Sequence, residues 1–504
     1  MKRIFALSAL VLLVLTTFGQ ADIEKLDQYF AKAQKDWKIP GMAVAVVKDG
    51  EIVLSKGYGT LSLNSKEPIT NETLFAIASN TKAFVASSLA NLVAEGKIKW
   101  TDKVVDYLPY FELYDSYTTA HTTIEDLLCH RVGLGTFSGD LMWYKSELTA
   151  EEVIKKVKFV PQAYEFRAGY GYSNLMFITA GEVIKKVTGK DWSDYVKESF
   201  FGPLGMNRSI TSTDDLSGKG NYAMPHKPME DEQEVIEWVN WDNMGAAGGI
   251  ISSSDDMAKW MMMNIEHGIW NEDTIIDYKQ HNIIWTPHNN NKVATNSNGR
   301  HFSGYGLGWG LSDYHGNMVA THGGGYDGMY SYQMLVPDQK LGIMVLTNTM
   351  KGIAWPIAQY AVDSYLNLEE KDYSKERLEA SEKNKEQASE IDKRIEKRKK
   401  KETPSLEKSA YTGTFYSGMH GKVTISLNTD GTFKMEFADA PKLNATLTHW
   451  HYNIWQINWN ETHAWFDFGT VQFLLDNNLK VNGLQFDVPN GDIFFDEVNL
   501  EKIK

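Results

Sequence analysis

The sequence contains a single cysteine, Cys129, among 504 residues. A lone cysteine excludes an intrachain disulfide, so packing and hydrogen bonds must hold the fold even in an oxidising compartment. Because Cys129 follows the apolar pair Leu127-Leu128, we expect a buried helix position rather than a reactive thiol.

Basic residues are fewer than acidic ones. The chain has 51 Lys and Arg against 65 Asp and Glu, for a net charge of −14. Phosphate backbones and anionic lipid surfaces are bound by basic patches, so this balance argues against a nucleic-acid-binding protein and against attraction to anionic membranes. The apolar fraction of 42% is ordinary for a folded soluble protein.

The apolar run at the start of the chain, Ile4 to Thr16, is too short to span a membrane. A basic start, Lys2-Arg3, precedes it, and small residues after it suit cleavage behind Ala21. This pattern predicts a signal peptide over residues 1–21, hence a secreted, periplasmic protein without a membrane span. A buried N-terminal helix is the alternative.

The first two thirds of the chain predict an α+β fold. Residues 41–48 and 51–58 flank Asp49-Gly50, which indicates a β-hairpin. Helical patterns follow at 80–96, 123–129, 150–157, 175–188 and 255–264. Strand patterns return at 306–311, 317–322, 329–336 and 341–347. Strands at both ends with helices between them predict a sandwich in which a mostly antiparallel sheet packs against helices.

The composition changes after this region. Dense Glu and Lys between 369 and 407 are typical of a solvated helix or a flexible linker. From 408 onward, short alternating strands separated by turn residues predict a small all-β, barrel-like module. We therefore divide the chain into a signal peptide (1–21), an α/β domain (22–368), a charged linker (369–407) and an all-β domain (408–504).

One segment combines a nucleophile with a base. Ser79-Asn80-Thr81-Lys82 opens the predicted helix, so the hydroxyl and the amine lie one turn apart on the same face. A partly desolvated lysine has a lowered pKa and can accept the proton of a serine. A second Ser-x-x-Lys, Ser405 to Lys408, has no apolar helix behind it to hold a rigid site.

Two glycine-rich segments carry further candidates. Tyr172 and Asn174 lie in Gly169-Tyr170-Gly171-Tyr172-Ser173-Asn174, where a tyrosine can relay a proton and an amide can bind a substrate amide or Lys82. Thr321-His322-Gly323-Gly324-Gly325 follows an apolar strand, and its glycines allow close approach of a substrate to the backbone. Taken singly, each segment reads equally well as a plain turn.

Together, these segments resemble the class C β-lactamase and penicillin-binding-protein group of serine hydrolases, which includes related esterases and D-aminopeptidases. The resemblance spans roughly residues 25–365 and includes supporting phrases in the same order, among them Lys56-Gly57-Tyr58-Gly59, Pro203-Leu204-Gly205-Met206 and Gly306-Leu307-Gly308-Trp309. The C-terminal module resembles the lipocalin-like β-domain that some members carry.

The resemblance implies a two-step acyl transfer on esters or on small amides and peptides. Ser79 would be the nucleophile, and Lys82 and Tyr172 would jointly move its proton. Substrate would be bound by Asn174, His322, Gly324 and Gly325, with the N–H groups of Ser79 and Gly325 as the oxyanion hole. The chemistry requires no metal and no cofactor. The partner is a small-molecule or peptide substrate, and a homo-oligomer is left open.

One departure from the family pattern affects the substrate. The third motif of β-lactamases and many D,D-peptidases is Lys-Thr-Gly, whose cation binds a substrate carboxylate, but this chain has His322 there. The change favours an esterase or an amidase acting on D-residues; Arg167 is the candidate for a replacement cation. A β-lactamase or D,D-peptidase and a non-catalytic, penicillin-binding-like sensor are the alternatives.

Overall fold

The computed structural model describes residues 21–229, 232–292, 299–385 and 390–503. The predicted signal peptide, apart from Ala21, lies outside the described residues. Within these ranges no helix is both long and apolar enough to cross a membrane.

An eight-stranded antiparallel sheet forms the centre of the α/β domain, and its strands come from both ends of that domain, as predicted. In spatial order the strands are Glu51–Gly59, Gly41–Lys48, Leu341–Thr347, Met329–Val336, Asn317–Tyr326, Gly310–Tyr314, Ser303–Tyr305 and Asn289–Asn291. The strand Gly41–Lys48 is inside the sheet, and successive side chains point to opposite faces. Both faces are therefore apolar: Val47 belongs to one core cluster and Val46 to the other.

The predicted hairpin is confirmed, but the predicted strand 306–311 is wrong in its bounds. Two strands, Ser303–Tyr305 and Gly310–Tyr314, flank a turn at this point. The turn needs Gly308, whose φ of 76° is a conformation that L side chains rarely adopt.

Helices cover both faces of the sheet. Their bounds are Ile23–Asp36, Thr81–Ala94, Val104–Tyr107, Ser116–His121, Ile124–Leu128, Ala150–Lys156, Asn174–Thr188, Trp192–Val196, Gly202–Leu204, Leu216–Lys219, Gly245–Gly248, Ser254–Ile265, Tyr278–Ile284 and Ala354–Tyr365. The five predicted helices are confirmed within two residues at each end. Among the helices that the sequence patterns did not predict are Ile23–Asp36 and Ala354–Tyr365, which together cover one face of the sheet through residues such as Phe30 and Ile357.

The C-terminal part of the chain is a closed eight-stranded barrel. Its strands are Gly413–Ser417, Gly421–Leu427, Phe433–Phe437, Ala445–His451, Ile454–Trp459, Gly469–Leu475, Val481–Asp487 and Leu500–Lys502. Closure removes the free sheet edges. The interior is filled by buried aromatic side chains, with Tyr411, Phe433, Trp455 and Phe473 in mutual ring contact. The predicted α/β sandwich followed by an all-β barrel is confirmed.

Two helices, Tyr373–Lys385 and Glu390–Lys397, lie in the charged segment between the sheet domain and the barrel. The first is attached to the α/β domain, because the Tyr373 hydroxyl donates to Asp363 Oδ2 at 2.6 Å. Behind the second helix, Arg398 donates to two barrel carbonyls, those of His449 and Trp450, at 2.9 and 3.0 Å. Among the described residues of this segment, 373–385 and 390–397 are helical as one interpretation predicted, whereas 398–407 form turns and irregular chain.

Candidate active site

Ser79 lies where a short strand turns into a buried helix. Phe75–Ala76 pairs with Ile251–Ser252, and the chain then passes through a 3₁₀ turn, Ala78–Asn80, into the helix Thr81–Ala94. Ala78 has a φ of 47°, in the left-handed region that non-glycine residues seldom occupy. Such strain persists only where the surroundings fix it, and it lies next to the predicted nucleophile.

Lys82 is completely buried, and its Nζ has three partners. Nζ is 3.0 Å from Ser79 Oγ, 2.7 Å from Asn174 Oδ1 and 2.7 Å from the carbonyl oxygen of Ala247. The last two oxygens can only accept hydrogen bonds. A neutral amine has two N–H groups for these two acceptors, which leaves its lone pair for the hydroxyl proton of Ser79.

The charge state of Lys82 fits this arrangement. Burial lowers the pKa of Lys82 to about 7, against the raising influence of the Asp140 carboxylate. A large share of the protein therefore has Lys82 as the free amine near neutral pH, as a general base requires.

Asp140 is a second buried ionisable group, which no sequence pattern predicted. Asn174 Nδ2 donates to Asp140 Oδ2 at 2.7 Å, so the amide of Asn174 bridges Lys82 and this carboxyl. Burial raises the pKa of Asp140 to about 7, although Trp143, Asn174 and Lys82 lower it. Both ends of the Asn174 amide thus bind protein groups. Of the two partners predicted for Asn174, a substrate amide or Lys82, the structure shows Lys82.

Tyr172 is above the lysine and beside the serine. Lys82 Nζ lies 4.8 Å from the centre of the Tyr172 ring, and the ring packs on His130 with centroids 4.3 Å apart. Burial raises the pKa of Tyr172 well above its usual value, and a hydrogen bond with Ser79 opposes this rise. Tyr172 is therefore a neutral hydroxyl that can pass a proton but does not itself ionise near pH 7.

The turn before Tyr172 requires glycine at position 171. A Cβ at Gly171 would lie 1.8 Å from the carbonyl oxygen of Leu134. The turn is also tied to the rest of the domain, because Tyr172 N–H donates to Thr136 Oγ1 at 3.1 Å. These contacts fix the position of the Tyr172 ring.

His322 is neutral. Its Nδ1 lies 2.6 Å from the carbonyl oxygen of Gly323, so Nδ1 carries the proton, and Nε2 accepts from the Tyr305 hydroxyl at 2.7 Å. Burial, with a contribution from the charge of Lys82, lowers the pKa of His322 to about 3. The residue in the place of the family's lysine is therefore uncharged near pH 7.

Gly324 and Gly325 allow the strand Asn317–Tyr326 to lie close to the Ser79 turn. A Cβ at Gly324 would be 2.2 Å from the carbonyl oxygen of Ile77, so this position packs against backbone and is not itself part of the cavity surface. Gly325 lines the cavity beside Trp465.

Arg167 does not supply a cation to the site. Its guanidinium donates to both carboxylate oxygens of Asp126 at 2.9 and 2.6 Å, and Arg131 also pairs with Asp126. Arg167 is not among the residues that line the cavity. The expectation of a replacement cation is therefore wrong, because this arginine holds a structural ion pair.

A cavity of about 440 Å³ opens above Ser79 and has walls from both parts of the chain. The predicted residues that line it are Ser79, Tyr172, Asn174, His322 and Gly325. The barrel contributes Trp465, Asp492 and Ile493. Across the described part of the chain, no lysine or arginine lines this cavity, whereas the two carboxyl groups of Asp140 and Asp492 do.

The barrel is fixed over the cavity by polar contacts. Glu497 accepts a hydrogen bond from the Ser138 hydroxyl and another, 2.7 Å long, from Gly139 N–H, directly before Asp140. Buried Lys227 pairs with Asp467 of the barrel. Glu497 thereby holds the barrel against the two residues before Asp140, and its charge contributes to the raised pKa of Asp140.

The fold and this arrangement of serine, lysine and tyrosine define the class of β-lactamase-like hydrolases. The Beta-lactamase family model matches residues 26–363, and the chain belongs to this family, as its motifs predicted. A second model, described as a domain of unknown function (DUF3471), matches residues 397–502.

The curated relatives include a hydrolase and Protein flp, whose name states no activity. The chain is 31% identical over 353 residues to the Unguisins hydrolase ungD' of Aspergillus campestris. The aligned region covers 65% of this chain and 62% of that protein. It is 26% identical to Protein flp of Staphylococcus aureus over 66% of this chain and 64% of that protein. The matched part of the chain thus spans less than two thirds of the length of these relatives.

Solved structures share the fold. The octameric penicillin-binding protein homologue from Pyrococcus abyssi aligns with a TM-score of 0.61 at 21% identity, over 95% of this chain and all of that one. The D-amino acid amidase from Ochrobactrum anthropi SV3, solved with L-phenylalanine amide, aligns with a TM-score of 0.54 at 24% identity, over 71% of this chain and 99% of that one.

Proposed function

We propose that this protein is a serine hydrolase that forms an acyl-enzyme on Ser79 and acts on carboxylic esters or small amides and peptides. The observation that carries the proposal is the 3.0 Å contact between Ser79 Oγ and the buried amine of Lys82, whose other two partners are acceptors only. Membership of the Beta-lactamase family supports the same chemistry.

In the first step Ser79 Oγ attacks the substrate carbonyl while its proton moves to Lys82. The carbonyl oxygen becomes an oxyanion, for which we propose the N–H groups of Ser79 and Gly325 as donors. Collapse of the tetrahedral intermediate breaks the bond to the leaving group, which takes the proton back from Lys82 through Tyr172. Water then attacks the carbonyl carbon of the acyl-enzyme and gives a proton to Lys82 and Tyr172. The bond between the acyl group and Ser79 Oγ breaks, Oγ takes this proton, and the acid is released.

The uncharged cavity wall at His322 disfavours substrates that need a cation beside the reacting carbonyl. A β-lactam or a D,D-peptide presents a carboxylate there, whereas an ester or a simple amide does not. We therefore infer ester and amide hydrolysis ahead of β-lactam turnover. The name of the structurally similar D-amino acid amidase agrees with amide substrates, and the name of the Unguisins hydrolase agrees with hydrolysis.

The proposal includes export and self-association. The leader at residues 1–21 supports a periplasmic enzyme, and the octameric homologue supports a homo-oligomer. Mass spectrometry of the protein from a periplasmic extract, with cleavage expected behind Ala21, tests the first. Light scattering on the purified protein tests the second, and a monomeric mass would remove it.

The decisive test is intact-mass analysis after treatment with a fluorophosphonate. We expect a single adduct on the wild type and none on Ser79→Ala. The matched control is Ser405→Ala, which removes the serine of the other Ser-x-x-Lys and should be labelled like the wild type. No adduct on a well-folded wild type would refute the proposal and leave a non-catalytic binding role.

A further inference from the structure

We propose that Asp492, presented by the barrel, binds a protonated amine of the substrate, so that the enzyme acts on amides or esters of amino acids with a free amino group. The inference rests on the proposed function and specifies its substrate class. It assigns the barrel a share of substrate recognition.

The loop that carries Asp492 is built to hold this residue in place. Asn490 Oδ1 accepts from the N–H groups of Asp492 and Ile493 at 3.0 and 2.6 Å. Asn490 Nδ2 donates to the carbonyl oxygens of Val488 and Ile493 at 2.9 and 2.7 Å. The Asp492 carboxylate takes no part in these contacts and lines the cavity.

The Asp492 carboxylate is partly buried, and among the described residues no donor or cation pairs with it. In the described ranges it makes no hydrogen bond and no ion pair, and its burial raises its pKa. A half-buried carboxylate without a partner is unfavourable, and a cation that enters the cavity relieves this cost. No cationic side chain of the described lining can do so. Asp140, the other carboxyl group in the wall, already accepts from Asn174.

Aromatic rings surround the same end of the cavity. Gly325 lies between Trp465 and Tyr330, both 3.2 Å from the position that a Cβ would take. The charge of Asp492 is close enough to Tyr330 to contribute to the raised pKa of that phenol. A carboxylate beside aromatic rings is a suitable site for an ammonium group, which is attracted to both. Because Gly325 is the proposed oxyanion donor, the ammonium would lie close to the reacting carbonyl.

The test compares phenylalanine p-nitroanilide, in both enantiomers, with 3-phenylpropionyl p-nitroanilide, which lacks only the amine. We expect the wild type to prefer one amino substrate, and Asp492→Asn to lower kcat/KM for it by about 30-fold or more, the usual loss when one partner of a buried charge pair is removed. The des-amino substrate should change by less than about threefold. Asp496→Asn, an exposed carboxyl in the same segment, is the matched control and should behave like the wild type.

Fluorophosphonate labelling separates this inference from the proposed function. Asp492→Asn should be labelled as fast as the wild type, because the nucleophile and the base are unchanged. Phenethylamine should slow labelling of the wild type more than 2-phenylethanol does, and this difference should vanish in Asp492→Asn. Equal protection by the two compounds, or an equal loss for both anilides in Asp492→Asn, would overturn the inference while labelling of Ser79 still supports the hydrolase.

Discussion

Replacing Asp140 by asparagine should move the pH dependence of acylation to lower pH. The carboxylate of Asp140 stabilises the ammonium form of Lys82 through the bridging amide of Asn174. Asparagine keeps the size and an acceptor for Asn174 but removes the charge. The neutral amine, which is the base, then persists to lower pH.

The size of the shift follows from the distances. Two hydrogen bonds of 2.7 Å each, with an amide between them, separate the charges by roughly 7 Å, which at an effective dielectric constant of about 20 corresponds to about 2 kcal/mol, or about 1.5 pKa units. Because the pKa of Asp140 is itself raised to about 7, the carboxyl is only partly ionised in this range. We therefore expect a shift of about one pH unit.

The assay is the rate of fluorophosphonate labelling between about pH 5 and about pH 9. In the wild type the rate should rise with pH around a midpoint near 7, the pKa of Lys82. Burial lowers the pKa of both His130 and His322, to about 3 for the latter, and raises that of Tyr172, so these neighbours do not titrate in this range. An unchanged midpoint in Asp140→Asn, or one at higher pH, would refute the role of Lys82 as a base coupled to this carboxyl.

Three further substitutions test neighbouring parts of the structure. Gly324→Ala places a methyl group 2.2 Å from a backbone carbonyl oxygen and should lower the free energy of unfolding, measured in urea, by about 1–3 kcal/mol. In Gly323→Ala the nearest atom is 3.4 Å from the methyl group, so the free energy of unfolding should change by less than about 0.5 kcal/mol. Glu497→Gln removes a charge that raises the pKa of Asp140, so Asp140 ionises more readily and the labelling midpoint should move to higher pH. Asp126→Asn removes the buried carboxylate that pairs with Arg131 and Arg167 and should lower the free energy of unfolding at neutral pH by about 3–5 kcal/mol.

Each of these expectations has a contrary outcome. Equal unfolding midpoints for the two glycine variants would contradict the steric argument. A shift in the same direction for Glu497→Gln and Asp140→Asn would contradict the electrostatic one. For Asp126, burial raises the pKa but hydrogen bonds from Arg167 and other neighbours outweigh it, so the folded pKa is lowered. The ion pair should therefore stabilise the protein above about pH 4 and lose this effect as the pH falls further; a contribution that grows in acid would contradict it.

Local sequence patterns predicted the parts of the site that depend on neighbours in the chain. Ser79 and Lys82 are one helical turn apart, and helix geometry alone brings their side chains together. Tyr172 and His322 carry no such local signal, since each lies in a glycine-rich turn that could occur elsewhere. They were identified because the order of the motifs resembles a known family.

Contacts between distant parts of the chain could not be predicted in this way. Asp140 begins a single 3₁₀ turn, Asp140–Met142, in a stretch without sequence periodicity, and its importance comes from burial beside Asn174. Asp492 and Glu497 are more than 350 residues from the turn before Asp140. The missed helices Ile23–Asp36 and Ala354–Tyr365 likewise owe their place to packing on the sheet.

The division of the cavity wall between two parts of the chain separates reactivity from selectivity. The serine, the lysine and the tyrosine lie before residue 175, whereas Trp465 and Asp492 of the cavity wall lie about 300 residues after Tyr172. During synthesis the reactive groups are complete long before the barrel that encloses them. Changes in the barrel loops can therefore alter which molecules enter without altering the nucleophile, and related chains can diverge in substrate while retaining the same chemistry.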